Sequence, residues 1–215
     1  SSLTSIGLRA FEDNELKILT IPDGVVSIGW SAFTLNLLDE LIIPNSVNDI
    51  GGYAFSYNRL TKISISTQLS SISDGVFTQN FLNEVDLPNN IKALGDYSFA
   101  YNRLVSVVIP NQVTAIAEGS FFQNTLTSIS IPLSVTQIGA RAFAENQLDE
   151  VILPSGIVSI SDDAFYKNNL KVVSIPDSVT SIGYSAFESN QLLTAQFLGD
   201  RPNFPALSSR VFQSN

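Results

Sequence analysis

Short alternations of apolar and polar positions recur along the chain. In Leu16-Lys17-Ile18-Leu19-Thr20-Ile21-Pro22, Leu19 and Ile21 alternate with Ile18 and Thr20. This predicts a short strand with the first pair turned inward and the second outward. Proline ends the strand, because it offers no N–H to a neighbouring strand and restricts the residue before it. A second apolar group follows, Val47, Ile50, Ala54 and Phe55 in one copy, and is predicted to line the inside of a return path. Over residues such as 52–57 we expect a helical or 3₁₀ turn, too short to stand alone.

This order repeats in fixed register. Asparagine stands at Asn14, Asn36, Asn58, Asn80, Asn102, Asn124, Asn146, Asn168 and Asn190, always 22 residues apart, and a phenylalanine precedes each by three. The unit reads L-x-x-I-x-I-P-x-x-V-x-x-I-G-x-x-A-F-x-x-N-x with limited substitution, Ser66 replacing one proline. A helical pair or a propeller blade needs about 33 to 50 residues, so this period suits one coil of a solenoid. The predicted fold class is an α/β-type solenoid of 22-residue coils. It would carry a parallel β-sheet on one face and short turns or 3₁₀ segments on the other. With strands about 4.8 Å apart, the stacked coils would span on the order of 40 Å. Glycines at 7, 29, 51, 95, 139 and 183 follow an inward Ile or Leu and are expected to ease a turn.

Residues 1–198 are read as the repeat solenoid of about nine coils, and 199–215 as an irregular C-terminal coil or cap. Three extra residues separate Phe187 from Phe212 before Phe212 and Asn215 restore the spacing. The chain contains no methionine and opens inside the pattern, which reads as an excised or processed segment of a longer polypeptide.

Composition narrows the chemistry. With no cysteine and no histidine, thiol or histidine relays, disulfides, haem and zinc fingers are excluded, and no cofactor or metal is expected. Eleven basic against 20 acidic residues give a net charge of −9, the wrong sign for a nucleic-acid partner. No apolar stretch is long enough for a transmembrane segment.

Taken together, Leu126-Thr127-Ser128-Ile129-Ser130-Ile131-Pro132, then Val135, Ile138-Gly139 and Ala142-Phe143, resemble the BspA-type (Treponema-type) leucine-rich repeats of bacterial surface proteins. Two features depart from that pattern: asparagine replaces its cysteine, and the unit is one residue shorter. The resemblance implies a curved right-handed solenoid on a bacterial surface, binding host or neighbouring-cell proteins or glycans.

The asparagine column reads as a structural ladder of buried amides that satisfy backbone groups. The outward strand positions are better binding candidates, since the fold does not dictate them. There Glu40, Lys62, Glu84, Asp86 and Glu150 mix with Ile42, Val108 and Ile152. A partner face with acidic steering and a plain solvated β-face weigh about equally. An alternative ridge carries Tyr57, Arg59, Tyr101 and Arg103, residue types enriched at binding hot spots, although duplication of two coils explains the same similarity. Trp30, the single tryptophan, is read as an exposed anchor or as a cover for the adjacent coil. Glu84 and Asp86 share a strand face, as glycosidase carboxylates do, but an exposed sheet offers no pocket to raise a pKa. No catalytic residue is assigned. The expected function is a noncatalytic binding module, an adhesin segment of a surface or secreted protein; the alternative is a spacer with no ligand of its own. Unpaired strands at the ends would allow end-to-end self-association.

Overall fold

A computed structural model describes residues 3–199 and 210–215. Each 22-residue stretch closes one coil on the next, and the repeated Phe, Leu, Ile and Val positions form one continuous interior. Phe33 through Phe187 are fully buried at every step of the column, and their rings stack coil on coil. Ring centroids lie 5.2 to 6.1 Å apart along this column. At the N-terminal coil Phe11 caps the stack and stays 44% exposed.

Two parallel ladders run along the solenoid, where the sequence suggested one. In chain order the strands are β1 (Ser5–Ile6), β2 (Ser27–Ile28), β3 (Glu40–Ile42), β4 (Asp49–Ile50), β5 (Lys62–Ser64), β6 (Ser71–Ile72) and β7 (Ala93–Leu94). Then follow β8 (Ala115–Ile116), β9 (Gln137–Ile138), β10 (Ser159–Ile160), β11 (Val172–Ile175), β12 (Ser181–Ile182) and β13 (Thr194–Phe197). The expected outward face holds the pairs β3–β5 and β11–β13, with single bridges joining Val108, Ser130 and Ile152. The other ladder carries β1-β2-β4, β6-β7 and β12-β10-β9-β8, with two-residue strands from nine coils. Two residues are too few for an alternation to register in the sequence. Conversely, residues 16–22 and 84–87 adopt no strand, although their alternation predicts one.

The expected helical or 3₁₀ segments are also absent among the described residues, so the helical part of the α/β assignment is corrected. The backbone over 51–57 explains why. Ala54 and Ser56 donate to the carbonyls of Gly51 and Tyr53, closing two successive tight turns. Tyr53, Phe55 and Tyr57 instead donate to Asp74, Val76 and Thr78 of the next coil. Alternate N–H groups therefore point out of the coil, and Tyr53 (φ 57°) and Tyr57 (φ 52°) adopt left-handed conformations that no right-handed helix tolerates.

None of the glycines at 7, 29, 51, 95, 139 and 183 has a positive φ, so the turns that open at Gly29, Gly51, Gly95 and Gly139 need them for space and not for a left-handed backbone. A Cβ at Gly51 would stand 2.4 Å from the Trp30 nitrogen, so glycine there lets one coil pass close over its neighbour. Gly119 serves a different need. Its φ is +56°, and the Tyr97 ring lies where its Cβ would be, 2.4 Å from the ring edge. Gly119→Ala is expected to cost about 1–2 kcal/mol, and less in a Tyr97→Ala background, because only backbone strain then remains. Urea denaturation of the four proteins of this cycle checks it; equal costs in both backgrounds would remove the ring from the account.

The C-terminal expectation covers 199–215, of which 200–209 lie outside the described residues. Beyond them Phe212 stacks on Phe187 at 5.8 Å, and Asn215 Oδ1 accepts the Asn190 N–H at 3.1 Å.

Candidate functional site

The outward strand face is built by the parallel register. β3 sets Glu40 beside Lys62 and Ile42 beside Ser64, and the bridges set Val108, Ser130 and Ile152 in line. Inward neighbours Leu41, Val107 and Val151 are buried, which forces the intervening residues out. Ile18 is 85% exposed, Val108 79%, Ile152 76% and Ile42 70%. Lys62, Glu40, Glu84, Asp86 and Glu150 are exposed as well.

These residues fall into two groups with a polar stretch between them. Ile18, Glu40 and Ile42 join Lys17 and Asp39 around a depression of about 490 Å³, where residues 17–21 do not pair with β3. Glu150 and Ile152 line another of about 350 Å³ with the exposed Leu133. Lys62, Glu84, Asp86 and Val108 line neither depression. Glu84 and Asp86 stand in the open, and among the described residues no three carboxylates gather where one ion could be held.

The tyrosine–arginine ridge lies at the corner where the asparagine column meets the outward face. Tyr57, Arg59 and Tyr101 line one groove of about 370 Å³ with Leu35, Gln79 and Phe81. Arg103 does not line it, but its guanidinium carbon sits 4.4 Å over the Phe81 ring. Tyr101 is braced by Phe122, edge to face at 5.2 Å. The floor is the asparagine ladder. Asn80 Nδ2 donates to the Phe55, Phe77 and Thr78 carbonyls at 3.0, 3.2 and 3.3 Å, and its Oδ1 accepts the Leu60 N–H at 3.0 Å. The equivalent amides at 36, 58, 102, 124, 146, 168 and 190 are buried. Asn14 is exposed, and among the described residues its amide bonds only the Glu12 carbonyl.

The sequence reading missed a polar cluster on the turn face. Tyr97 Oη donates to Glu118 Oε1 at 2.7 Å, and Arg141 pairs with Asp163 at 3.4 Å. Burial pushes the Tyr97 phenol up, the Glu118 carboxylate adds to the rise and Arg141 opposes part of it. Its trace in the sequence is an aromatic residue followed 22 positions later by glycine, as in Tyr97 and Gly119 or Trp30 and Gly52. Trp30 accordingly covers Gly52, touches Tyr53 at 5.2 Å and remains 46% exposed.

No helix among the described residues is long and apolar enough to cross a membrane. No curated protein matches the chain. Among solved structures it is similar to the pneumococcal vaccine antigen PcpA, at 25% identity and a TM-score of 0.66, covering 92% of this chain and 60% of that one. A leucine-rich repeat protein from Eubacterium ventriosum gives 24%, 0.65, 90% and 57% on the same measures. One from Bacteroides ovatus gives 20%, 0.61, 91% and 52%. The chain thus spans about 52 to 60% of the length of these structures. The BspA type leucine rich repeat region matches in six copies, over residues 1–105 and 92–215, and the chain belongs to that family.

Proposed function

We propose that the chain is a noncatalytic binding module of a bacterial surface or secreted protein, an adhesin segment whose protein partner docks on the outward strand face. One observation carries this reading: Ile18, Ile42, Val108 and Ile152 are 70 to 85% exposed among carboxylates, on a face that the fold leaves free. Serine occupies the same columns at Ser64, Ser106, Ser128 and Ser130, so the coils do not require aliphatic residues there. Covering one such side chain would contribute about 1.5–3 kcal/mol, while Glu40, Glu84, Asp86 and Glu150 would steer a basic partner. The similarity to a pneumococcal vaccine antigen supports the surface setting.

The test is surface binding to a panel of extracellular-matrix proteins at two salt concentrations. It runs beside an Ile42→Ser/Val108→Ser/Ile152→Ser variant and a variant with the four acids changed to serine. Saturable binding lost in both variants, with circular dichroism unchanged, is the expected result. Binding that survives both would move the site off this face, and binding to no member of the panel would favour the spacer.

A further inference from the structure

We propose that the groove between Tyr57, Arg59, Gln79, Phe81 and Tyr101 is a binding site for carboxylated oligosaccharides, with Arg103 at its far end. The site is separate from the strand face and does not depend on the docking reading above. Its residues fall in two parallel rows across three consecutive coils: Tyr57, Gln79, Tyr101 in one and Arg59, Phe81, Arg103 in the other. Two coil steps put the members of each outer pair about 10 Å apart.

Charge is the first argument. The chain has 20 acidic residues, and Arg9, Arg141 and Lys167 each pair with a carboxylate. Arg59 and Arg103 have no such partner among the described residues, although both are exposed. A pair of uncommitted guanidiniums on a protein of net charge −9 is a local attraction for an anion. Arg103 is held over Phe81, which fixes its donor fork without using its hydrogen bonds, and a planar carboxylate matches that fork.

The rings supply the second argument. Tyr57 is 51% exposed and Phe81 37%, and Tyr101 is fixed from the side by Phe122. Both tyrosines occupy a left-handed backbone position that Leu35, Gln79 and Gln123 fill in other coils, so the turn itself does not call for an aromatic ring. Rings of this kind offer flat apolar faces for the C–H face of a pyranose, with phenol hydroxyls at the rim. Gln79, between the tyrosines, makes no side-chain hydrogen bond, whereas Gln123 in the same column donates to Glu145. Its amide is therefore free for sugar hydroxyls or an N-acetyl group. A linear glycan with a carboxylate on alternate sugars would present anions at a separation comparable to that of Arg59 and Arg103.

The test titrates the whole chain with a hyaluronan octasaccharide, 3′-sialyllactose, a neutral N-acetylglucosamine tetrasaccharide and poly-glutamate, read by calorimetry. Binding of the first is expected to weaken with salt, and to fall about tenfold or more in Arg59→Gln/Arg103→Gln. Tyr57→Ala should weaken binding while leaving its salt dependence in place. Preference for sialyllactose would keep the carboxylated-sugar site and reassign the sugar. Equal binding of poly-glutamate would overturn the proposal in favour of an acidic peptide. So would equal binding of the neutral sugar, unchanged affinity in the arginine variant with intact circular dichroism, or no glycan binding.

Discussion

Phe99→Ala is expected to lower the stability of the solenoid by about 3–5 kcal/mol, the largest loss for any single substitution considered. The Phe99 ring is wholly buried and lies between Phe77 at 5.4 Å and Phe121 at 6.0 Å. Removing it takes a ring contact from two neighbours at once. The coils cannot close the gap, because inter-coil hydrogen bonds on both sides set their spacing: Phe77 N–H reaches Ser98 O, and Phe99 N–H reaches Ser120 O. Urea denaturation followed by far-ultraviolet circular dichroism measures the loss. Phe11→Ala is the control, since Phe11 stacks on one ring only and is 44% exposed. A cost at Phe99 no greater than at Phe11 would contradict the stacked interior.

Asn102→Ala is expected to cost about 1–3 kcal/mol, with Asn14→Ala close to neutral. The Asn102 amide donates to the Phe77, Phe99 and Ala100 carbonyls at 2.9, 3.2 and 3.2 Å and accepts the Leu82 N–H at 3.0 Å. Alanine leaves that N–H buried without a partner, where water cannot replace it, and takes one donor from each carbonyl, which keeps another: Asn80 for Phe77, Asn124 for Phe99 and the Gln79 N–H for Ala100. Because two of the partners belong to the previous coil, the substitution loosens a junction as well as a turn. The same urea titration applies, and an unchanged midpoint for Asn102→Ala would refute the ladder as a source of stability.

Side-chain periodicity made the coil length, the inward columns and the asparagine column legible. Phe, Ala, Val and Ile at fixed offsets are buried at nearly every step because each apolar residue reports its own environment. The second ladder was not legible, since its pairing is between backbones and one inward residue, such as Ile28 or Ile50, carries no period. The left-handed corner at Tyr53, Tyr97, Arg141 and Ser185 was equally hidden, because residue types with no shared preference stand there. Glycine at the turn was legible, but the source of the strain was not: Gly51 answers to the backbone one coil away. Of the candidate sites, exposure of the outward aliphatics followed from strand alternation. The gathering of Tyr57, Arg59 and Phe81 in one groove depends on how neighbouring coils meet.

Bonds such as Tyr53 N–H to Asp74 O and Phe55 N–H to Val76 O run from coil to coil, along the direction in which the molecule would be pulled. Tension between its ends then opens one junction at a time, as a zipper does, and no two junctions share the load. Each coil that peels away exchanges a rise of about 4.8 Å for an extended length of about 70 Å. Such a molecule lengthens in steps under tension, and the coils still stacked keep their outer faces unchanged.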